Sequence, residues 1–373
     1  MLSYRNRRTL LQIIPFGVIP LVFSIVYSLL EKGILGNHPF YPSTGNPYNF
    51  QLIVPATLSM IIGLLIGTLE VLYINKWFQK RSFTKKIIFK AAIYLLTIIA
   101  ASLINVILSS AFELGVSPLD KQVWNIAAVF LSSFAFWSTT LYFTLAVIIS
   151  LFYLEVSDNI GQAVLLNFFS GKYHQPIEEE RVYMFLDMKS STTFAEQLGH
   201  LRYFEMLKEY YVDLSDPIIQ YGGEIYEYVG DEVIVTWRLK EGFANNSLNC
   251  FFAMKEALNN QAKKYQSEYG VTPTFKAGIH FGKVTTGEIG VIKKEITFSG
   301  DVLNTTARIQ GLCNTYKVDL LISEELANAM ESNEAFKSKA LGEAELRGRN
   351  ERINLFTIEK NRAQPSIAVN NLQ

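Results

Sequence analysis

The sequence predicts a multi-pass α-helical membrane domain with four spans, followed by an α+β domain whose helices cover a mixed sheet. Three observations support this fold class. Apolar residues make up 49% of the 373 residues, and their surplus is concentrated in residues 1–155. From Arg181 onward, strand-like and helix-like periodicities alternate along the chain. Two pairs of strand-like runs flank short glycine-containing segments, which is the pattern of a β-hairpin.

Each of the four apolar segments is long enough to cross a bilayer, which takes about 20 residues of helix. The first is too long for the core of a signal peptide and lacks a small-residue cleavage site, so we expect it to be retained. Residues 1–155 are therefore predicted to form a membrane domain whose partner is the lipid bilayer. The segments run approximately over Leu10–Leu30, Leu52–Ile74, Ile88–Ala111 and Trp124–Leu154.

Lysine and arginine are unevenly distributed among the loops of this domain. They precede the first segment and fill the loop between the second and third, whereas the other two loops hold few of them. Because basic loops stay on the cytoplasmic side, we expect the N-terminus and the chain after the fourth span in the cytoplasm. The predicted location is the cell (inner) membrane. The basic residues are Arg5, Arg7, Arg8, Lys76, Lys80, Arg81, Lys85 and Lys86.

Glu70 is an acidic residue inside the second predicted span. An ionisable group at that depth is costly and by default indicates a functional site. An equally good alternative is a side chain that reaches the membrane surface or is bonded within the helix bundle. No histidine or cysteine pair in this half indicates haem or metal, so the signal that the domain senses is not predicted.

Charge and cysteine content narrow the classes of function. Lys and Arg total 34, as do Asp and Glu, so the formal net charge is zero. Nucleic-acid-binding domains carry a basic excess, and we therefore expect no nucleic-acid partner. Cys250 and Cys313 both lie in the second half of the chain and indicate free thiols in a reducing compartment.

Residues 156–180 are predicted to be a cytoplasmic linker. Apolar residues from Asp158 to Phe169 follow helical spacing after a polar start, and Ser170-Gly171 ends the predicted helix. A short helix here could transmit motion from the membrane domain. It could equally be an amphipathic spacer on the membrane surface.

The chain after the linker alternates strands and helices. The run Arg181–Leu186 is a predicted strand, and a hairpin is predicted over Ile225–Trp237 with its turn at Gly230-Asp231. A second hairpin is predicted to pair Phe275–Phe281 with Val284–Ile289 across Gly282-Lys283. Helices are predicted from about Thr193, over Tyr203–Tyr221, and near Leu248–Tyr269, Val302–Cys313 and Glu324–Ser332, with further strands near Val318–Ile322, Leu341–Leu346 and Ile353–Ile358.

Two carboxylates lie at the ends of predicted strands. Asp187 closes the run Arg181–Leu186, and Asp231 lies in the turn of the first hairpin. The segment Lys189-Ser190-Ser191-Thr192 then opens a helix whose first backbone N–H groups can bind phosphate oxygens. Paired carboxylates beside such a helix suit two divalent cations under a triphosphate.

Four motifs in this order resemble the class III adenylate and guanylate cyclases. They read FLDMKSST, YVGDEV, GIHFGKVTTGEIG and FSGDVLNTTARIQ, and the resemblance covers roughly Arg181 to Lys360. It implies a ferredoxin-like catalytic core, assigned here to residues 181–362, with residues 363–373 as a flexible tail. It also implies a membrane-anchored enzyme for intracellular signalling that converts ATP to cyclic AMP, or GTP to cyclic GMP, with release of pyrophosphate. Two Mg²⁺ or Mn²⁺ per site are the implied cofactors.

The resemblance also implies roles for single residues. Asp187 and Asp231 bind the metals together with the backbone carbonyl of Met188. Asn304 orients the ribose, and Arg308 stabilises the charged transition state at the α-phosphate. The implied triphosphate contacts are Lys189, Ser190, Ser191, Thr192 and Arg347, with Arg349 an equal rival of Arg347.

Base recognition is assigned to Glu227 and Thr297. Glutamate at the first position is the guanylate cyclase pattern, because a carboxylate accepts from the guanine N1–H and N2–H donors. Threonine at the second position is found in many bacterial adenylate cyclases. The pair matches neither pattern completely, and the balance favours ATP slightly over GTP.

Both sets of site residues occur in one chain, although the family builds each site from two catalytic domains. We therefore expect a homodimer with two equivalent sites. Two rival interpretations are a catalytically inactive membrane receptor that uses the cyclase domain only to dimerise, and a transporter with a regulatory cyclase-like domain. The intact set Asp187, Asp231, Asn304 and Arg308 argues against the first, and the absence of an internal repeat argues against the second.

Overall fold

A computed structural model describes residues 3–40, 48–78, 81–239, 243–330, 336–345 and 352–361. The chain separates into two compact units: Asn6–Leu165, called the first unit, and Leu166–Gln373 together with Met1–Arg5, called the second unit. The domain limits expected at residues 155, 180 and 362 stay predictions, and the expected flexible tail 363–373 lies outside the described residues.

Among the described residues of the first unit, four helices are long and apolar enough to cross a membrane, as the hydropathy pattern predicts. Helix α1 covers Tyr4–Leu35, and α4 covers Phe83–Leu114. The second long helix consists of α2 (Ile53–Leu69), a π-helical turn (Glu70–Ile74) and the short α3 (Asn75–Trp77).

The fourth predicted span, Trp124–Leu154, is wrong at its start. Residues Lys121–Ser132 form a separate helix α5, and the long helix α6 covers Phe134–Ile160. The break lies at Ser133, whose backbone is extended. Its hydroxyl accepts a hydrogen bond from the Phe136 backbone N–H at 3.2 Å. Serine is favoured at the residue just before a helix, because its side chain accepts from a backbone N–H that has no partner within the helix. The helix α6 therefore begins directly after Ser133.

Glycines allow α1 and α2 to touch through their backbones. A Cβ placed on Gly63 would lie 2.0 Å from the Phe16 carbonyl oxygen, and one on Gly67 would lie 2.6 Å from Phe16 Cβ. Small residues at a helix contact are typical of membrane bundles, where close packing replaces the hydrophobic effect. These two positions therefore exclude larger side chains without a shift of α1.

Buried charges connect α4 to two other long helices of this unit. Lys90 on α4 and Glu70 have no exposed side-chain surface, and Glu155 on α6 is 2% exposed. The Lys90 ammonium lies 2.5 Å from Glu70 Oε1 and 3.3 Å from Glu155 Oε1. Tyr94 donates to Glu70 Oε2 at 2.7 Å. Glu70 is therefore bonded within the bundle, and its side chain does not reach the membrane surface.

The same polar contacts extend to the remaining long helix. Lys90 donates to Asn75 Oδ1 at 2.8 Å, and Asn75 in turn donates to Asp158 Oδ2 at 3.3 Å. Gln12 of α1 donates to Asp158 Oδ1 at 2.7 Å. All four long helices are thus joined by one set of contacts, named here the Lys90 network. It consists of Gln12, Glu70, Asn75, Lys86, Lys90, Tyr94, Glu155 and Asp158.

The predicted linker helix begins later than expected. Asp158 and Asn159 belong to the last turn of α6, which ends at Ile160, and helix α7 covers Gln162–Ser170. Gly161 separates the two helices with φ at 97°, a value that favours glycine. The glycine, rather than the polar pair before it, therefore marks the boundary.

The second unit contains eight described strands in one mixed sheet. Their order across the sheet is β2-β3-β1-β4-β6-β8-β7, and β5 pairs with one end of β4. The β4–β6 pair is parallel and the other pairs are antiparallel. The strands are β1 (Ile177–Met188), β2 (Glu224–Val229), β3 (Glu232–Arg238), β4 (Phe275–Ile289), β5 (Glu295–Ser299), β6 (Leu320–Ser323), β7 (Phe336–Glu345) and β8 (Arg352–Lys360).

Helices cover both faces of this sheet. Side chains of α9, α10 and α13 share a buried cluster with alternate residues of the central strands, such as Val182, Met184 and Leu186. The intervening residues Tyr183 and Phe185 face the opposite side and pack with α11. The described helices are α8 (Ser191–Leu198), α9 (His200–Gln220), α10 (Phe243–Tyr269), α11 (Asp301–Gly311), α12 (Cys313–Tyr316) and α13 (Glu324–Ala329).

The first predicted hairpin is confirmed and the second is wrong. Strand β4 continues through Gly282-Lys283 without a turn and pairs with β1 from Met188↔Phe275 to Ile177↔Thr286. The partner of its end is β5, which was not predicted. Gly282 lies within β4 and pairs in register with Arg181 of β1.

Candidate active site

The first hairpin and β1 bring the two predicted metal-binding aspartates to one edge of the sheet. Asp231 follows Gly230 in the turn between β2 and β3, where Gly230 has φ at 63°. Asp187 lies inside β1, one residue from its end, and pairs in register with Glu232 of β3. Tyr211 of α9 donates to the Gly230 carbonyl and so ties the turn to the helix layer.

Electrostatics at this edge favour a bound cation. Burial raises the pKa of Asp187, and the nearby charge of Asp231 raises it further, while the Lys276 ammonium acts in the opposite direction. Lys276 Nζ lies 3.2 Å from Asp187 Oδ2. Burial together with the charges of Asp187 and Asp231 also raises the pKa of Glu232. Negative charge in this cluster is therefore not fully compensated by the protein.

A second feature of Asp231 suits a bound cation. Its Oδ2 atom is buried and has no hydrogen-bond partner among the described residues. A buried carboxylate oxygen without a partner is costly, and a divalent cation would satisfy it. The donors are two carboxylates, and the described residues contain no group of three or more His, Cys, Asp or Glu that could hold a metal. Such a set suits Mg²⁺, which keeps several waters and substrate phosphates among its ligands.

The predicted phosphate-binding segment follows β1. Ser190 has a left-handed backbone with φ at 58°, and Ser191 and Thr192 form the first turn of α8. The Lys189 ammonium is paired with Asp319, which also accepts from Lys255 at 2.6 Å. Lys189 is therefore engaged by the protein itself, whereas the backbone at the start of α8 has the direction that phosphate binding requires.

Helix α11 carries Asn304 and Arg308 on a face away from the aspartates. Asn304 is exposed and Arg308 half-buried, and neither makes a side-chain hydrogen bond to another residue that the structure describes. Gln310 of the same helix donates to Asp187 Oδ2 at 3.3 Å. At about 100° per residue, Gln310 lies about 200° around the helix from Arg308. One copy of the chain therefore does not direct Arg308 at its own metal-binding pair.

A missing side chain on β4 sets the height of α11 above the sheet. A Cβ on Gly278 would lie 2.4 Å from the Gln310 backbone nitrogen. The helix backbone can approach the strand only because this residue is glycine. This close approach brings the Gln310 side chain within reach of Asp187.

The predicted base-recognition residues lie on neighbouring parts of the sheet. Glu227 is exposed on β2, and Thr297 is half-buried on β5. Tyr226 lies between them. Burial raises its pKa, hydrogen bonds from the Phe298 backbone and the Thr297 side chain oppose this rise, and the Glu227 charge adds to it. Tyr226 directly precedes Glu227 on β2, and its ring lies 4.9 Å from the ring of Phe298, which directly follows Thr297 on β5.

Arg347 and Arg349 lie outside the described residues. The structure also contains site residues that the sequence reasoning missed, namely Lys276 and Gln310 at Asp187 and Tyr226 beside the base-recognition pair. A charged residue inside the apolar run Phe275–Phe281 was a signal for Lys276. No comparable signal marked Gln310 or Tyr226, because their contacts depend on strand register and helix packing.

Comparison with known proteins gives a consistent result. Residues 173–360 match the family described as the adenylate and guanylate cyclase catalytic domain. Adenylate cyclase 2 of Rhizobium meliloti (strain 1021) is 36% identical over 209 residues, which cover 56% of this chain and 58% of the relative. Adenylate cyclase of Anabaena cylindrica is 25% identical over 182 residues, covering 47% of this chain and 36% of the relative.

These relatives are longer than the part they share with this chain, which spans between about a third and three fifths of their lengths. Among solved structures, the adenylyl cyclase CyaB from P. aeruginosa matches with a TM-score of 0.46 and 20% identity. That match covers 51% of this chain and 98% of the other. It is too distant to bear on substrate, metal or assembly.

Proposed function

The chain belongs to the family of class III adenylate and guanylate cyclases, and from this premise we propose that it is a membrane-anchored nucleotide cyclase. The proposed reaction converts ATP to cyclic AMP and pyrophosphate, with GTP as the alternative substrate. The observation that carries the proposal is the Asp187–Asp231 pair. Its charge is incompletely compensated, and the Asp231 oxygen is buried without a partner among the described residues.

In the proposed reaction the ribose 3′-oxygen forms a bond to the α-phosphorus while the bond to the pyrophosphate oxygen breaks. Asp187 and Asp231, with the Met188 carbonyl, would hold two Mg²⁺ or Mn²⁺. When bound, these cations would neutralise phosphate charge and lower the pKa of the attacking hydroxyl. The helix start at Ser191 and Thr192 would bind phosphate oxygens through backbone N–H groups, with Ser190 and Lys189 beside it.

Asn304 and Arg308 would act on the same substrate from α11. Asn304 would hydrogen-bond the ribose and so fix the direction of the 3′-hydroxyl. Arg308 would donate parallel hydrogen bonds to α-phosphate oxygens as negative charge develops there, a role suited to a guanidinium that stays charged. Arg347, or its rival Arg349, would bind the far end of the triphosphate.

A homodimer is part of the proposal because of the geometry of α11. The face that carries Asn304 and Arg308 is turned away from the aspartates of its own chain, as the contact of Gln310 with Asp187 indicates. A complete site then needs the aspartates of one copy and the α11 face of a second. Two such sites form in a symmetric dimer.

Two features bear on the choice of base and on location. Glu227 is exposed, and its carboxylate would accept from a guanine, whereas the named relatives are adenylate cyclases. We infer ATP as the preferred substrate on the strength of those relatives. Four described helices of sufficient length, the basic residues before the first and the basic loop between the second and third support an anchor in the cell membrane with the catalytic domain in the cytoplasm.

The experiment that tests the proposal mixes two inactive variants. Full-length Asp231→Ala and Arg308→Ala are each expected to lose at least about 100-fold of the turnover, the scale typical of one lost charge-stabilising group. Co-expression should restore activity, because a mixed dimer contains one site with neither substitution. Products from ATP and GTP are separated and measured with Mg²⁺ and with Mn²⁺.

Each outcome of the mixing experiment has a defined meaning. If the wild-type protein turns over neither nucleotide, the cyclase proposal is rejected and the interpretation as a catalytically inactive receptor remains. Active wild type without recovery in the mixture would reject the shared site. Co-expression of Asp231→Ala with Asp187→Ala is the matched control, since both changes affect the same half of a site and no recovery is expected.

A further inference from the structure

Arg181 is a fully buried arginine at the centre of a polar cluster in the second unit. Its side chain is 1% exposed, although arginine is rarely buried unless its charge is paired. Its Nε donates to Glu179 Oε1 at 2.7 Å, and its two other nitrogens donate to Glu224 Oε2 at 3.1 Å and to the Tyr173 hydroxyl at 3.2 Å. Its guanidinium carbon lies 4.5 Å from the centre of the Phe298 ring. These five residues are named the Arg181 cluster.

The members of this cluster come from four separate segments. Glu179 and Arg181 belong to β1, Glu224 opens β2, and Phe298 lies on β5. Tyr173 belongs to the segment between α7 and β1, which leads from the linker into the catalytic domain. One planar group therefore bonds to or stacks on all four segments at once, which an ammonium cannot do.

Two of these segments carry the residues assigned to base recognition. Glu227 follows Glu224 by three positions on β2, and Thr297 directly precedes Phe298 on β5. The Phe298 ring lies between Arg181 and Tyr226, with 4.9 Å between the centres of the two aromatic rings. Arg181 contacts Glu224 on the strand of Glu227 and Phe298 on the strand of Thr297. These two contacts therefore influence the distance between Glu227 and Thr297.

The segment before β1 is anchored to the same place. Tyr173 is 1% exposed, and its carbonyl accepts from the Glu288 backbone N–H at 3.0 Å. Its hydroxyl contacts Glu179 at 3.1 Å as well as Arg181. Three residues later, Pro176 lies 3.3 Å from where a Cβ on Gly287 would be, and Gly287 is the register partner of Thr297. A shift of residues 173–176 would therefore displace the backbone at Gly287 and with it the paired residue Thr297.

We propose that Arg181 is a positioning residue that transmits the placement of residues 173–176 to the base-recognition pair Glu227 and Thr297. The inference rests on the proposed cyclase function. Arg181 itself does not touch the substrate. The orientation of the linker segment adjusts how tightly the preferred purine base is bound, and only secondarily the rate of the chemical step.

The test uses Tyr173→Phe in the full-length protein. This change keeps the buried ring and removes only the hydroxyl that links the segment to Arg181 and Glu179. We expect the KM of the preferred nucleotide to rise about fivefold, the factor that corresponds to one hydrogen bond of ordinary strength, with kcat within about twofold of wild type. The KM of the other nucleotide should change less, so that base preference weakens. Arg181→Lys should shift the same ratio further.

Tyr265→Phe is the matched control. Tyr265 is also fully buried, and its hydroxyl donates to Asp213 Oδ2 at 2.6 Å between α10 and α9, away from β2 and β5. It should lower the unfolding temperature by a similar amount and leave both KM values unchanged. This comparison separates positioning from plain stabilisation, which would affect both variants alike.

The outcomes are distinguishable. Wild type without turnover of ATP or GTP would overturn the cyclase proposal and this inference with it. Active wild type with the same nucleotide preference in Tyr173→Phe and Tyr265→Phe would overturn this inference alone. Failure of both Tyr173→Phe and Arg181→Lys to fold would assign the Arg181 cluster to stability and overturn it as well.

Discussion

Two buried cations, Lys90 in the first unit and Arg181 in the second, are held by carboxylates in different ways. The carboxylate partners of Lys90 are 0% and 2% exposed, whereas those of Arg181 are 15% and 36% exposed. Lys90 donates hydrogen bonds to Asn75 and Glu155 and forms an ion pair with Glu70, and the side chains of Lys90 and Glu70 are both 0% exposed. The Arg181 cluster is open at one side through Glu224.

This difference teaches how the two clusters tolerate change. Charges sealed from water must be balanced internally, because the cost of an uncompensated ion in a low-dielectric environment is high. When one charged side chain of a cluster is in contact with water, the loss or weakening of a contact costs less free energy of unfolding. The Lys90 network is therefore suited to fix one helix arrangement, while the Arg181 cluster is suited to small adjustments at a functional site.

The largest expected effect comes from Lys90→Met. Loss of the ammonium leaves Glu70 and Glu155 buried without their common partner, and we expect a destabilisation of about 3–5 kcal/mol. Thermal unfolding of the full chain in detergent, followed by tryptophan emission, measures it. Three of the four tryptophans, Trp77, Trp124 and Trp137, lie in the first unit.

Lys86→Met is the control for that measurement. Lys86 lies 3.1 Å from Glu155 Oε2, but its side chain is 18% exposed, and its removal leaves Lys90 in place. Its effect should be clearly smaller. Equal unfolding temperatures for Lys90→Met and Lys86→Met would contradict the distinction between a sealed and an open pair.

Arg181→Met should have an intermediate effect. We expect a loss of about 2–3 kcal/mol, because the carboxylate of Glu224 can regain water when its partner is removed. Cys250 and Cys313 are buried in the second unit, so the temperature at which they react with a thiol probe reports the unfolding of that unit. A loss larger than that from Lys90→Met would reverse the comparison.

The smallest expected effect depends on pH and comes from Glu179→Gln. Burial alone would raise the pKa of Glu179, but Arg181, Thr286 and Lys172 together hold it below the ordinary value of 4.5. A lowered folded-state pKa stabilises the protein above the unfolded-state value, and this contribution is lost as pH falls through the folded-state value. The difference from wild type, about 1.5 kcal/mol at neutral pH, should therefore shrink below about pH 4.5. A constant difference between pH 7 and pH 4 would mean that the charge of Glu179 is not what Arg181 requires.

The long apolar helices and the placement of Asp187 and Asp231 beside strands could be predicted because each depends on local sequence. A span is a run of apolar residues, and Asp187 and Asp231 stand in motifs beside recognisable strands. The second hairpin was predicted wrongly for a physical reason. Gly282 looks like a turn residue, but it pairs with Arg181 of β1, and the continuous pairing of β4 with β1 outweighs the local turn signal.

The burial of Arg181 could not be predicted from its neighbours in sequence. Its partner Glu224 lies 43 positions away, and Phe298 lies still further along the chain. The contacts of Lys276 and Gln310 with Asp187 could not be predicted either, because strand register and helix packing bring these residues together. Local pattern identifies reactive groups, whereas the groups that orient them depend on the tertiary structure.

The π-helical turn at Glu70–Ile74 explains how two residues of one helix reach the same ammonium. Glu70 and Asn75 are five positions apart, which in an α-helix would place their side chains about 140° apart. In the π turn the Asn75 backbone N–H bonds to the Glu70 carbonyl, and both side chains contact Lys90. The π turn therefore contains one residue more than the α-helical turn that would bring two side chains to the same face of the helix. Deleting one residue of Val71–Ile74 would allow α-helical winding and leave Glu70 and Asn75 four positions apart, about 40° around the helix, so that the two side chains could still share Lys90.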